Sequence, residues 1–279
     1  QRRRALAAWL TDPANPLFAR VIVNRLWQSH FGVGLVETPS DFGFNGGRPS
    51  HPELLDWLAR RLIEHGWSLK DLRRLIVTSA AYRRGTREDP SARAVDVGNR
   101  WLWRKTPTRL EAEMVRDAML EVSGRLNPVL GGPGFREFTI TQARGTITHR
   151  YTWIDHPQGA DFDRRSLFRV WARGGRNPFL DVFDCPDPST TAPVRAATTT
   201  PLQALALLND AQVLRLADAF ALRVRSEVGE KQIQRGYLLA LGRQPAASEL
   251  AEATPVVKQY GMSALARALF NSNEFVVID

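Results

Sequence analysis

The stretch "NPLFARVIVNRLWQSHFG", Asn15–Gly32, decides the fold class. Asn15 is a good N-cap and Pro16 suits the first helical position. Leu17, Phe18, Val21, Ile22, Leu26 and Trp27 then recur at helical spacing, and Gly32 ends the run. A long loop rich in glycine and proline follows. "SHPE" restarts a helix, with Ser50 and Glu53 at capping-box spacing and Pro52 in the first turn. Leu54, Leu55, Leu58, Leu62 and Ile63 form its apolar face, and Gly66 is the stop. Ser68 and Asp71 begin a further helix that turns Leu72, Leu75 and Ile76 inward.

The same punctuation runs on downstream. Residues 83–100 hold few apolar side chains and read as a surface connection. Thr108–Ser123 is helical in pattern, with Leu110, Met114, Ala118 and Leu120 as its apolar positions and Gly124 at its end. "FREFTITQARGTITHRYTWID", from Phe135, alternates β-branched and aromatic residues as a short hairpin does. In "TTTPLQALALLND", Thr198–Asp210, Thr200, Pro201 and Gln203 form a capping box with the favoured proline. From there the chain reads as helix almost to its end, with breaks near Gly229, Gly242, Pro245, Pro255 and Gly261. The expected fold is mainly α, a compact multi-helix domain over residues 1–279 with a small β-hairpin insertion around residues 135–165.

At 279 residues and 43% hydrophobic, the chain holds enough apolar side chains for a sizeable core. No run approaches the length of a membrane-spanning helix, and no charged-then-apolar opening resembles a signal peptide. The abrupt helical start, "QRRRALAAWL", suggests a piece of a longer protein. The net charge of +9 invites a nucleic-acid partner. Two features argue against one. Only Lys70, Lys105, Lys231 and Lys258 are lysines, an arginine bias that GC-rich coding produces unaided. The arginines are also scattered rather than gathered in a stripe. Cys185 is the single cysteine, so neither an intrachain disulfide nor a cysteine-based zinc site can form. There is no Cys-x-x-Cys-His, hence no covalent haem c on this chain.

Three places carry candidate chemistry. The first is Phe183–Asp210. The capping box explains Thr200 and Gln203, but not Asp181, Asp184, Asp187 or Arg195. Three acids three residues apart could ligate Ca²⁺, although the spacing matches no established calcium loop. Asx-turns account for the same acids. Arg195 could pair with them or with a substrate anion. Cys185, beside aspartates that would raise its pKa, reads as structural. The second is the Thr38–His51 loop, where Asp41 and His51 have the chemistry of an acid–base pair, while "SHPE" is also simply a helix start. The third is Arg109, Glu113, Arg116 and Asp117, whose default reading is helical ion pairs. Neither these positions nor His30, His65, His149 and His156 show a metal-ligand spacing.

The blocks Leu6–Arg84, "TPTRLEAEMVRDAMLEVSGRL", "RRSLFRVWAR", "FLDVFDCPDPS", "TTTPLQALALLND" and "ALARALFNSNEF" resemble, in this order, the planctomycete-specific C-terminal domain of unknown function. The resemblance implies an exported protein, periplasmic or extracellular, in which this domain follows a cytochrome-c-like domain. That domain is the implied partner, and haem c is implied only there. Polar positions that the resemblance singles out are Asn24, Arg25, Asp41, His51, Arg109, Glu113, Arg165, Asp184, Arg195 and Asn209, with no role attached. Asp184, Arg195, His51 and Asp41 form the expected catalytic set, facing one polar cleft, with Arg109, Glu113, Arg165 and Asn209 as binding residues. Two functions follow as expectations. One is a catalytic module acting on carbohydrate and passing electrons to the cytochrome. The other is a non-catalytic module that binds a partner or polysaccharide. Eight tryptophans could line a sugar-binding surface, although Trp9, Trp27 and Trp57 sit on core-like helical faces.

Overall fold

The computed structural model describes residues 1–142, 149–154, 157–173 and 175–278. They divide into two compact units, residues 1–108 and 109–278. Helices dominate both, and no described helix is long and apolar enough to cross a membrane.

The first unit holds α1 (Arg2–Leu10), α2 (Phe18–Phe31), α3 (Pro52–Glu64), α4 (Leu69–Thr78) and α5 (Pro90–Val95). Its core joins Val23, Leu26, Trp27 and Phe31 of α2 to the predicted positions Leu55, Leu58 and Leu62 of α3 and Leu72 and Ile76 of α4. On α2 only Leu26 and Trp27 of the predicted stripe are buried, and Leu17 is exposed. Asn24 is fully buried on α2. Its amide donates to the Val36 carbonyl at 2.9 Å and accepts from the Val36 N–H at 2.8 Å. That pair fixes the loop after α2, and Gly34 lies so close that a Cβ would stand 2.6 Å from the Val36 oxygen.

Three local readings shift. Asn15 does not cap α2. Its side chain makes an Asx-turn to the Leu17 N–H, and the helix starts at Phe18. Ser50 forms no capping box, because its hydroxyl donates to the Leu35 carbonyl and α3 begins at Pro52 after His51. The 83–100 connection contains α5, capped by Asp89 through the Ser91 and Ala92 amides. By contrast, Ser68 caps α4 as expected. Of the three core-like tryptophans only Trp27 is buried. Trp9 and Trp57 are exposed, Trp9 because α1 buries none of its residues.

β1 (Thr108–Arg109) falls at the boundary, and the second unit continues with α6 (Ala112–Val122). The hairpin is β2 (Phe138–Gln142) and β3 (His149–Trp153), antiparallel with Phe138 opposite Trp153. Then come α7 (Pro178–Val182), α8 (Pro201–Asn209), α9 (Ala211–Arg223), α10 (Glu230–Leu241), α11 (Ala247–Tyr260), α12 (Met262–Phe270), α13 (Asn273–Val276) and β4 (Val277–Ile278), which pairs with β1. This is the expected architecture, mainly α with one small β insertion. The core lies where α9 packs on α12, with Phe220 edge-on to Phe270 at 5.8 Å and Val115, Met119 and Leu120 of α6 beneath. Gly229, Gly242 and Gly261 break the helices with positive φ. Pro255 does not: it sits inside α11 on the solvent side, where water can satisfy the carbonyl a turn earlier.

The capping box at α8 is present. Thr200 Oγ1 accepts from the Gln203 N–H at 3.3 Å, and the Gln203 amide oxygen accepts from the Thr200 N–H at 3.4 Å. Thr200→Ala is expected to lower stability by about 1 kcal/mol, read as a shift of the urea midpoint with an unchanged slope. An unshifted midpoint would remove the cap from the account of this helix.

Candidate functional site

The site is built on the start of α6. Glu111 stands at its N-cap and Glu113 in its first turn, where the helix dipole favours a carboxylate. The side chains of α6 below, Val115, Met119 and Leu120, are fully buried, so this terminus is rigid. The loop from Phe183 to Thr200 is folded over it. At the loop's base Asp184 adopts φ +61°. Its Oδ2 accepts from the Thr198 N–H at 2.7 Å and hydroxyl at 2.8 Å. Buried Gln203 bridges next: its Nε2 reaches Asp184 at 3.4 Å, and its oxygen accepts from Arg109 Nη2 at 3.0 Å. Farther out, Arg195 grips Glu113 with both Nη atoms, at 2.7 and 3.0 Å, and reaches Glu111 at 3.1 Å. Such a bidentate pair is among the stronger polar contacts a protein makes.

Electrostatics follow from these contacts. Burial pushes the Glu113 carboxyl up, but the Arg195 hydrogen bonds and charge outweigh it and hold the group below its usual range. Hydrogen bonding to Glu113 raises Arg195 in return. Burial, reinforced by the Glu113 charge, pushes the Cys185 thiol up to about 12. Its Sγ lies 3.8 Å from Glu113 Oε1 and is buried. It is a neutral packing group, as the sequence suggests. The three loop acids go separate ways: Asp181 pairs with Arg176 at 3.1 Å, Asp184 holds Thr198, and Asp187 makes an Asx-turn with Ser189. Among the described residues no three His, Cys, Asp or Glu side chains converge as metal ligands.

A groove of about 560 Å³ runs along this surface, with Glu111, Glu113, Asp117, Arg165, Trp171 and Arg195 in its walls. Asp117 Oδ1 accepts from the Ser166 N–H at 2.8 Å and hydroxyl at 2.7 Å, and Arg165 approaches its other oxygen at 3.7 Å. Trp171 is half-exposed. Behind it the fully buried Arg169 guanidinium lies between two indoles, 4.7 Å from the Trp171 centroid and 5.3 Å from that of Trp153.

Of the residues singled out in the sequence, Glu113, Arg165 and Arg195 line this groove, and Arg109 and Asp184 are tied to it through Gln203 and the loop. Arg195 takes its ion pair from the glutamates of α6 rather than from its own loop's aspartates. Asn209 lies apart, at the far end of α8, about 13–14 Å of helix from the cap; its amide donates to the Leu205 carbonyl. Asp41 and His51 belong to the first unit. Asp41 accepts from the Gly43 N–H at 2.8 Å and stabilises its own turn. His51 meets Ser50 Oγ at 2.9 Å and stacks edge-on with Trp101. His156 lies outside the described residues. Arg116, read as an exposed helical partner, is instead buried: it donates to the carbonyls of Phe162 and Arg164 and to Ser166 Oγ. Sequence reading missed Asp117 as a groove residue, and Trp171, Arg169 and Glu137 altogether. The one signal at hand was the charge density of "RRSLFRVWAR".

Residues 2–257 match the family described as PSD1, protein of unknown function (DUF1553). The chain belongs to that family. No curated protein and no solved structure matches it.

Because the folded pKa of Glu113 lies below its unfolded value, its contribution to stability is present above the ordinary carboxylate range and is lost as pH falls through the folded value. Arg195→Met should therefore cost about 1–2 kcal/mol at neutral pH and markedly less near about pH 3. Urea titrations of variant and parent at both pH values check this; an equal cost at both would mean that the ion pair contributes nothing.

Proposed function

We propose that this domain is a polysaccharide-binding module, carried by an exported multidomain protein that also holds a cytochrome-c-like domain. The observation that carries the binding reading is Trp171, half-exposed in a groove whose other walls are fixed carboxylates and guanidiniums. A sugar ring presents an apolar face to an indole and hydroxyls at its edge. Those hydroxyls donate to Glu111 or Asp117 and accept from Arg165. The Arg169 guanidinium behind Trp171 holds the platform, so little freedom is lost on binding. The export and the cytochrome association are supported by the sequence resemblance.

A catalytic module acting on carbohydrate is the second reading. It is favoured by Glu113 and Asp117, which stand one helical turn apart in the same groove. A general acid for glycoside cleavage wants a raised pKa. Glu113 is held in the opposite direction by Arg195, and so the binding reading goes further.

Affinity gel electrophoresis against a panel of neutral and anionic polysaccharides tests the proposal. At least one polymer should retard the protein, and Trp171→Ala should weaken that retardation about tenfold, the loss of one stacking contact. No retardation by any polymer, or retardation that Trp171→Ala leaves intact, would overturn it.

A further inference from the structure

A second cavity, of about 530 Å³, lies in the same unit and shares no lining residue with the groove. The end of β3 supplies Trp153, the start of α7 supplies Asn177 and Phe179, and the start of α9 supplies Asp210 and Gln212. Glu137 closes its wall. This carboxylate is 4% exposed. Its Oε2 accepts from Arg169 Nε at 2.6 Å and from Asn177 Nδ2 at 2.9 Å. Its Oε1 accepts no hydrogen bond among the described residues; the nearest cation, Arg116 Nη2, stands 4.0 Å away. Oε1 keeps solvent contact on the cavity side, and a carboxylate has room for more than the two donors present.

The wall states what kind of donor would fit. The charge of Glu137 is already balanced by Arg169 and Arg116, so a neutral hydroxyl serves as well as a cation. Arg215, the one guanidinium among the described lining residues, is held by Asp163 at 2.8 Å, which leaves no free cation to draw a phosphate or carboxylate. Trp153, Ile154, Pro157, Pro178 and Phe179 make much of the surface apolar, while Gln158 and Gln212 stand among them. The volume lies in the range of small-molecule sites.

We infer that this cavity is a binding site for a small neutral cyclic polyol, a monosaccharide-sized ring, with one hydroxyl donating to Glu137 Oε1 and one face against Trp153 and Phe179. The inference is independent of the groove. It is tested by saturation-transfer NMR of the whole chain with D-glucose, D-galactose, D-mannose, D-xylose and myo-inositol at millimolar concentration. At least one ring should give a saturable signal. Ala211→Phe, which fills the cavity from α9, should abolish it, and Ala192→Phe, which obstructs the groove instead, should leave it unchanged. If Ala211→Phe fails to fold, Gln212→Ala at the same wall decides, with a severalfold weaker signal expected. The inference is overturned if no ring saturates, if the signal survives the cavity variant, or if Ala192→Phe removes it, which would assign the sugar to the groove.

Discussion

The second unit depends on one buried cation. Arg116 projects from the middle of α6 into protein and is 1% exposed. Burial pulls its pKa down, opposed by the charges of Glu137, Asp117 and Asp163. A guanidinium taken from water costs several kcal/mol unless its donors and its charge are met. Here Nη1 meets Ser166 Oγ and the Arg164 carbonyl and Nη2 meets the carbonyl of Phe162, while Nε is buried without a partner among the described residues. The 162–166 segment is thereby clamped to α6. The two carboxylates nearest that cation are also the ones that face the two concavities: Asp117, 3.5 Å away, lines the groove, and Glu137 lines the cavity. Removing Arg116 would leave Glu137 to Arg169 alone and Asp117 to the more distant Arg165. The polar geometry of both concavities rests on it.

The helices are legible in the sequence where periodicity and caps agree. The stripes of α3 and α4 enter the observed core, the α2 stripe does so at Leu26 and Trp27, and the Thr200 box and the Ser68 cap form as their residue types require. The hairpin follows from alternation alone. What fails is the competition between equally local choices. Asn15 and Ser50 both offer a side-chain oxygen, and each spends it elsewhere: one on its own turn, the other on the Leu35 carbonyl fifteen residues back. Pro255 fails as a breaker because exposure, which a single sequence does not give, decides whether the freed carbonyl is costly.

The site is legible only in part, for a different reason. Arg195 and Glu113 both stand out in the sequence, but 82 residues separate them, and nothing local says that they meet. Of the three acids read as turn formers only Asp187 makes an Asx-turn; Asp181 pairs with Arg176 and Asp184 holds Thr198. Arg116, Arg169 and Glu137 are invisible because sequence reading assigns charged residues to solvent by default. Their burial is affordable only as a set: Arg169 pairs with Glu137, which Asn177 and Arg116 also approach, and Arg169 is sandwiched by two tryptophans. No member of that set has a reason to be buried alone.

The same set bears on charge. The protein carries +9 overall, yet the groove is lined by Glu111, Glu113, Asp117 and Asp187 against Arg165 and Arg195. Its local balance is acidic, opposite in sign to the whole chain. An excess of arginine spread over the surface therefore says little about what the groove receives, because fields from scattered exposed charges are screened within about 8–10 Å at ordinary salt. Polyanions such as nucleic acid would be drawn to the surface at large and opposed at the groove. A neutral chain of hydroxyls meets no such opposition. On the proposed reading it would find acceptors in the carboxylates, a donor in Arg165 and an indole packed on Arg169, so that part of the ordering needed for binding would be completed in folding.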